Sequence, residues 1–213
     1  MTENQEWIYD AIELQIRMGL DSPDDIRESV MEQVADEGLQ KEITEAWVIE
    51  QLTDEYNALE AQSKSWPTPT DTQKLINAFN ELCTQNIMAL HCAGFDITSG
   101  EDDVIALELD LIKLKKSSDG YCFYHEQDLE TVLENDGGSL FLTFQKVENE
   151  DNQVAIEIGK KVISILNKHG LKTNWNETVN KRIEILNFTW QKIYTDDDDW
   201  MDYDMVLNLL VTA

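Results

Sequence analysis

Two of the three prolines of this 213-residue chain stand in Trp66-Pro67-Thr68-Pro69, and no regular element can run through that stretch. Proline fixes φ and lacks a backbone N–H, so a pair of them ends a helix and excludes a central strand. With the polar residues Ser63-Lys64-Ser65 before it and Thr70 after it, the segment reads as a linker between two differently patterned parts.

Before the linker the apolar residues recur at helical spacing. Trp7, Ile8, Ala11, Ile12, Leu14, Ile16 and Met18 give a broad stripe that ends at Gly19. Ser22-Pro23-Asp24-Asp25 then has the form of a helix start, with Ser as N-cap, Pro at the first helical position and acids facing the dipole. Ile26, Val30, Met31 and Val34 carry that helix to Gly38. A third helix is expected over about 40–62, with Ile43, Trp47, Val48, Leu52, Tyr56 and Leu59 on one face.

After the linker helices and strands alternate. Helices are predicted over 71–85, 101–116, 126–135 and 152–169, and strands over 87–92, 121–125, 140–146, 171–175 and 182–191. Leu107, Leu109 and Leu111 also fit a strand, so both readings stand at 101–116. The expected fold is α+β. It has an N-terminal helical arm (1–65), an α/β layer domain with a mixed sheet of about five strands (66–194), and an acidic tail (195–213).

Charge divides along the same lines. The chain holds 43 Asp and Glu against 16 Lys and Arg, a formal net charge of −27. Residues 1–65 carry net −13, 66–194 net −8, and 195–213 net −6. The body is mildly acidic, and the excess belongs to the arm and the tail. Such a charge repels DNA, RNA and anionic membrane surfaces, so the expected partner is a basic protein rather than nucleic acid or membrane. The start lacks the basic and apolar regions of a secretory signal, and no apolar run reaches the length of a membrane helix; both point to the cytoplasm. Cys83, Cys92 and Cys122 are odd in number and contain no C-x-x-C pair, which argues for free buried thiols.

Three stretches carry a resemblance. Trp66-Pro67-x-x-Thr70-Asp71, Gly120-Tyr121-x-Phe123-x-His125-Glu126-Gln127-Asp128, and Gly170-Leu171 leading to Trp175 together resemble a bacterial family known only as a domain of unknown function. Lys181-Arg182-Ile183 fits its closing strand, and the likeness spans roughly 5–194. The resemblance implies a cysteine cluster after the first strand of the α/β part. Here that stretch reads His91-Cys92-Ala93-Gly94-Phe95-Asp96 and keeps a single cysteine. No activity is implied.

The remaining chemistry is sparse. His125-Glu126-Gln127-Asp128-Leu129 opens like a helical zinc-protease motif, but Leu129 stands where the second His is required. His91, Cys92, Cys122 and His125 lie near strand ends, yet neighbouring strand side chains point to opposite faces, so no metal and no cofactor is expected. The structural reading of His125 is a partly buried imidazole bonded to backbone, with Glu126, Asp128 and Glu130 at a helix N-terminus. Asp196-Asp197-Asp198-Asp199 lacks the Gly and Glu of a calcium loop. The tail is expected to form a helix from about 199, with Trp200, Tyr203, Leu207 and Leu210 on one face. That face either docks on the protein's own core or anchors a partner through Trp200 and Tyr203. The leading expectation is an acidic binding module, such as an immunity protein that neutralises a basic nuclease toxin. Its interface candidates are Glu32, Asp36, Glu37, Asp196, Asp197, Asp198, Asp199, Trp200 and Tyr203. The alternative is an enzyme or small-molecule binder using a pocket near His125.

Overall fold

A computed structural model describes residues 1–135, 137–196 and 198–213. These hold eight helices and five strands, an α+β fold with an N-terminal helical region. Two compact units emerge from the chain's contacts: Met1–Thr68 with Gln191–Asp198, and Pro69–Trp190 with Asp199–Ala213.

The first unit is built on helices α1 (Glu3–Met18), α2 (Pro23–Asp36) and α3 (Glu45–Ser63). Each begins at a side-chain cap: Thr2, Ser22 and Thr44 accept from the backbone N–H of Gln5, Asp25 and Trp47. Ile8, Ile12 and Ile16 of α1 meet Ile26, Val30 and Val34 of α2 and Val48 and Leu52 of α3 in one buried cluster. Spacing of four between successive members follows from 3.6 residues per turn. α3 starts five residues later than periodicity suggests, because the Thr44 cap fixes its origin; Ile43 is buried ahead of it. Trp7 lies outside the cluster, 44 % exposed. Gly19 closes α1 in the left-handed conformation (φ 63°), and a Cβ there would approach the Lys192 carbonyl oxygen to 3.0 Å. The returning backbone at Lys192 therefore passes directly over the end of α1.

The second unit contains α4 (Asp71–Thr84), β1 (Ile87–Leu90), α5 (Ile97–Lys113), β2 (Gly120–Phe123), α6 (Glu126–Glu134), β3 (Gly138–Gln145), α7 (Asn152–Lys168), β4 (Thr173–Asn174), β5 (Ile183–Phe188) and α8 (Tyr203–Thr212). The sheet order is β1-β2-β3-β5-β4. β1 and β2 are parallel, with α5 as the crossover that a parallel pair needs, and the other pairings are antiparallel. Strands β1 and β2 are buried along their whole length, while β3 alternates, with Leu140, Leu142 and Phe144 inward. α4 and α8 pack against β1, and α7 against β2 and β3. Gly120 permits the last of these: a Cβ on it would come within 2.4 Å of Ile158 on α7.

Helix wins at 101–116. Asp96 caps α5 four residues earlier than expected, and Leu107 and Leu111 are buried while Leu109 is 52 % exposed. β4 shrinks to two residues, and α8 begins at Tyr203 behind an Asp202 cap rather than at 199.

The division between units falls between Thr68 and Pro69, in a stretch after Lys64 that is exposed apart from the half-buried Trp66. Limited trypsin digestion is expected to cut after Lys64, and residues 1–64 should then co-elute with the remainder on gel filtration. The reason is that 191–198 belong to the same compact unit as α1–α3. A fragment 1–64 that separates freely would show that the segment contributes little to that unit.

Candidate functional site

The most specific stretch of the sequence, Gly120 to Asp128, forms β2, a turn and the start of α6. His125 is the N-cap of α6: its Nδ1 accepts the Asp128 backbone N–H at 3.3 Å. With Nδ1 an acceptor, the proton of the neutral ring sits on Nε2, which faces Asp128 Oδ2 at 3.1 Å. Arg182, the residue just ahead of β5, completes the group. Its Nη1 and Nη2 donate to Asp128 Oδ2 and Oδ1 at 2.8 and 2.9 Å, a two-pronged charge-assisted pair with a buried carboxylate. The guanidinium also lies over the Phe141 ring, 5.2 Å from its centroid. The His125 imidazole is held below its ordinary pKa, by burial first and also by Arg182, although Asp128 and Asp96 pull the other way. Protonation on Nδ1 would also break the cap. Both ring nitrogens are committed, so His125 has no free nitrogen to act as a general base.

The rest of the motif ties this helix start to the loop after β1. Glu126 and Gln127 donate their backbone N–H groups to the carbonyls of Gly94 and Phe95, at 3.1 and 3.2 Å, and Ala93 N–H donates to Tyr124. The first N–H groups of α6 are thus satisfied from within, leaving no open cradle for an anion. Tyr121 is buried and stacks on Phe123, and Gln127 is exposed. Trp175 lies edge-on to Phe144 at 5.0 Å and donates to the carbonyls of Thr178 and Lys181, closing the loop before β5. Trp66 is half-buried in the other unit, its backbone N–H on the Ser63 carbonyl. These are fold-making residues.

Of the two readings of the tail, docking on the protein's own core is the one seen here, and Trp200 and Tyr203 are not free anchors. Trp200 is 6 % exposed, edge-on to His91 at 4.8 Å and 6.0 Å from Trp190. Tyr203 donates to Asp103 Oδ2 at 2.8 Å, and α8 packs on α4, β1 and α5. The tail's apolar face is buried against its own unit because Trp190, His91 and Tyr124 offer an aromatic surface that it matches. His91 is wholly enclosed there: its Nδ1 meets the Tyr124 hydroxyl at 3.3 Å and its ring lies tilted against Phe79, centroids 4.4 Å apart. Nε2 has no hydrogen-bond partner among the described residues, and burial pushes the imidazole down to about 3.

The acidic candidates divide. Glu32, Asp36 and Glu37 are exposed at the C-terminal end of α2. Asp196 and Asp198 belong to the first unit and Asp199 to the second, and Asp197 lies outside the described residues. Asp198 pairs with Lys192. Tyr194 is held above its ordinary pKa, by burial first, then by its hydrogen bond to Asp196 and the nearby charges of Asp25 and Asp198. Around 20 of the 43 acids and only 5 of the 16 bases lie in the first unit.

Beside Arg182 a cleft of about 550 Å³ is lined by Phe141, Trp175, Asn176, Lys181 and Glu184 among others. Glu184 is held below its ordinary pKa by hydrogen bonds from Ser139 and Asn174, so its carboxylate faces neighbours rather than an incoming group. Cys83 and Cys122 are buried free thiols, both pushed up by desolvation, Cys83 to about 11. Among the described residues no group of three or more His, Cys, Asp or Glu is arranged to hold a metal ion, and no helix is long and apolar enough to cross a membrane. The sequence reading of His125 was a partly buried imidazole bonded to backbone beside acids at a helix start; its role as N-cap and Arg182 as the counter-ion were missed, and a lone Arg heading a buried strand was the available signal.

Residues 1–194 match the family model described as a domain of unknown function (DUF6891), and the chain belongs to that family. No curated protein and no solved structure matched it.

Asp128→Ala is expected to destabilise the fold by about 2 kcal/mol, below the roughly 3–5 kcal/mol of a wholly buried pair because Arg182 keeps some solvent. Urea unfolding measures this; a loss within experimental error would show the pair to be dispensable. Folding also keeps His91 and His125 neutral where the unfolded chain takes up protons, near pH 6.5. Stability is therefore full above that pH and falls as pH drops through it, by about 1.4 kcal/mol per pH unit for each ring held neutral. His91→Phe should flatten the urea midpoint between pH 6.5 and 5.5 relative to the parent chain.

Proposed function

We propose that this family member is a protein-binding module whose helical unit presents carboxylates to a basic protein, such as a bacterial nuclease toxin that it neutralises. One observation carries the reading. Glu28, Glu32 and Asp36 repeat at four-residue spacing along α2, with Glu37 as its C-cap and no base in the last turn. Like charges four apart repel, and acids at a helix C-terminus oppose its dipole; each placement costs a few tenths of a kcal/mol to about 1 kcal/mol. No cation among the described residues pairs with Glu32, Asp36 or Glu37. Carboxylates that weaken their own helix and stay exposed are well suited to steering a positively charged partner.

The interface in this reading comprises Glu32, Asp36 and Glu37, with Asp196 as a further carboxylate of the same unit. Trp200 and Tyr203 are withdrawn from it, since they serve the second unit's core. The competing small-molecule reading near His125 loses support from the commitment of both imidazole nitrogens and of Arg182.

Replacing Glu32, Asp36 and Glu37 by Lys should do two things together. The urea midpoint should rise, equivalent to about 0.5–1 kcal/mol, because the helix dipole and the like-charge pairs are relieved. Association with a purified basic nuclease toxin, followed by surface plasmon resonance, should slow about tenfold, and raising the salt should slow the parent chain likewise. Stabilisation with unchanged association would make the acids a trait without this role and defeat the proposal.

A further inference from the structure

Helix α5 carries an apolar stripe that the chain leaves open. Ile105, Leu109 and Ile112, at i, i+4 and i+7, are 47, 52 and 55 % exposed, and Phe95, Ile97 and Leu114 extend the same stretch. Six of the nine large hydrophobic residues that are exposed among the described ones fall within these twenty positions, 95–114. Scattered exposed hydrophobics need no explanation; a contiguous helical stripe does.

The charges at its ends indicate what covers it. Glu101 and Asp102 stand exposed at the N-terminal end of the stripe, and Lys113 and Lys115 stand exposed at the C-terminal end. Lys113 holds only a surface pair with Asp110. The surface is therefore acidic at one end, apolar in the middle and basic at the other, an arrangement complementary to its own reverse. We propose that this face is the two-fold interface between two copies of the chain, with the α5 helices antiparallel. An axis between positions 108 and 109 sets Ile105 against Ile112 of the partner subunit and places Leu109 beside the axis. The same operation sets Glu101 and Asp102 near Lys115 of the partner subunit, about 18–20 Å of helix from end to end. Antiparallel packing also opposes the two helix dipoles favourably. A wholly acidic chain would repel its copy here; three lysines, Lys113, Lys115 and Lys116, gathered at one end of this stripe in a chain with only 16 bases make the local contact attractive. The long-range repulsion between the bodies is screened beyond about 8 Å at physiological salt. The interface does not depend on the acidic face of α2, which lies in the other unit.

Sedimentation velocity over a concentration series tests this on the full chain. The parent should show a monomer–dimer equilibrium that Leu109→Ser shifts at least tenfold toward monomer, with an unchanged circular dichroism spectrum because the side chain is exposed. The charge pattern gives a sharper test. Lys113→Glu with Lys115→Glu makes both ends acidic, and Glu101→Lys with Asp102→Lys makes both ends basic. Each double variant alone should be monomeric, and an equimolar mixture should dimerise again. A parent chain that stays monomeric at about 0.1 mM, where even a weak dimer of Kd near that value would populate, overturns the proposal. So does a dimer indifferent to Leu109→Ser, or a mixture that stays monomeric.

Discussion

The Asp128 carboxylate is the point on which the second unit turns. It sits three residues into a short helix, buried, and it satisfies partners from three directions: the His125 imidazole, the His125 backbone N–H at 3.5 Å, and both Arg182 nitrogens. A buried carboxylate without a cation would be costly, so the start of β5 must come to α6. That requirement joins the last long strand to a helix more than fifty residues earlier and places Phe141 and the Arg182 guanidinium face to face. The backbone bonds from Glu126 and Gln127 to Gly94 and Phe95 then bring in the loop after β1, so one knot organises β1, β2, α6 and β5.

Elsewhere the acids are handled in two contrasting ways. In the second unit several are absorbed: Glu81 accepts from Lys168 and faces His169, Glu184 accepts from Ser139 and Asn174, and Glu108 is buried over the Ser118 N–H. In the first unit many are left in water, and those at the end of α2 act against the helix that bears them. The contrast gives the charge a location, and location rather than total charge is what a partner could read.

The tail shows how one apolar pattern serves different ends. Trp200, Val206 and Leu210 could have faced a foreign surface, and their spacing is the same whichever surface they meet. An aromatic wall of Phe79, His91, Tyr124 and Trp190 is present in the same unit, and burying Trp200 against it removes more apolar area from water than leaving it exposed. Residues 195–213 lie beyond the family match, yet α8 completes this unit's packing.

What the sequence determined by itself is whatever depends on neighbours within about four residues. The Ser22-Pro23 helix start, the stripes of α1 and α2, the alternation of helices with five strands, and a His125 imidazole bonded to backbone all rest on local periodicity and side-chain-to-backbone bonds. Caps at Thr44 and Asp96 were equally local, and reading apolar residues before capping residues displaced the starts of α3 and α5. Pairings across long stretches of chain belonged to the tertiary structure alone: Arg182 with Asp128, the return of Lys192 over Gly19, Trp200 against His91, and the open face of α5. Periodicity says that a face is apolar but not what meets it. That choice is made where the whole chain closes on itself, because burial rewards any matching surface and only topology decides which surface is within reach.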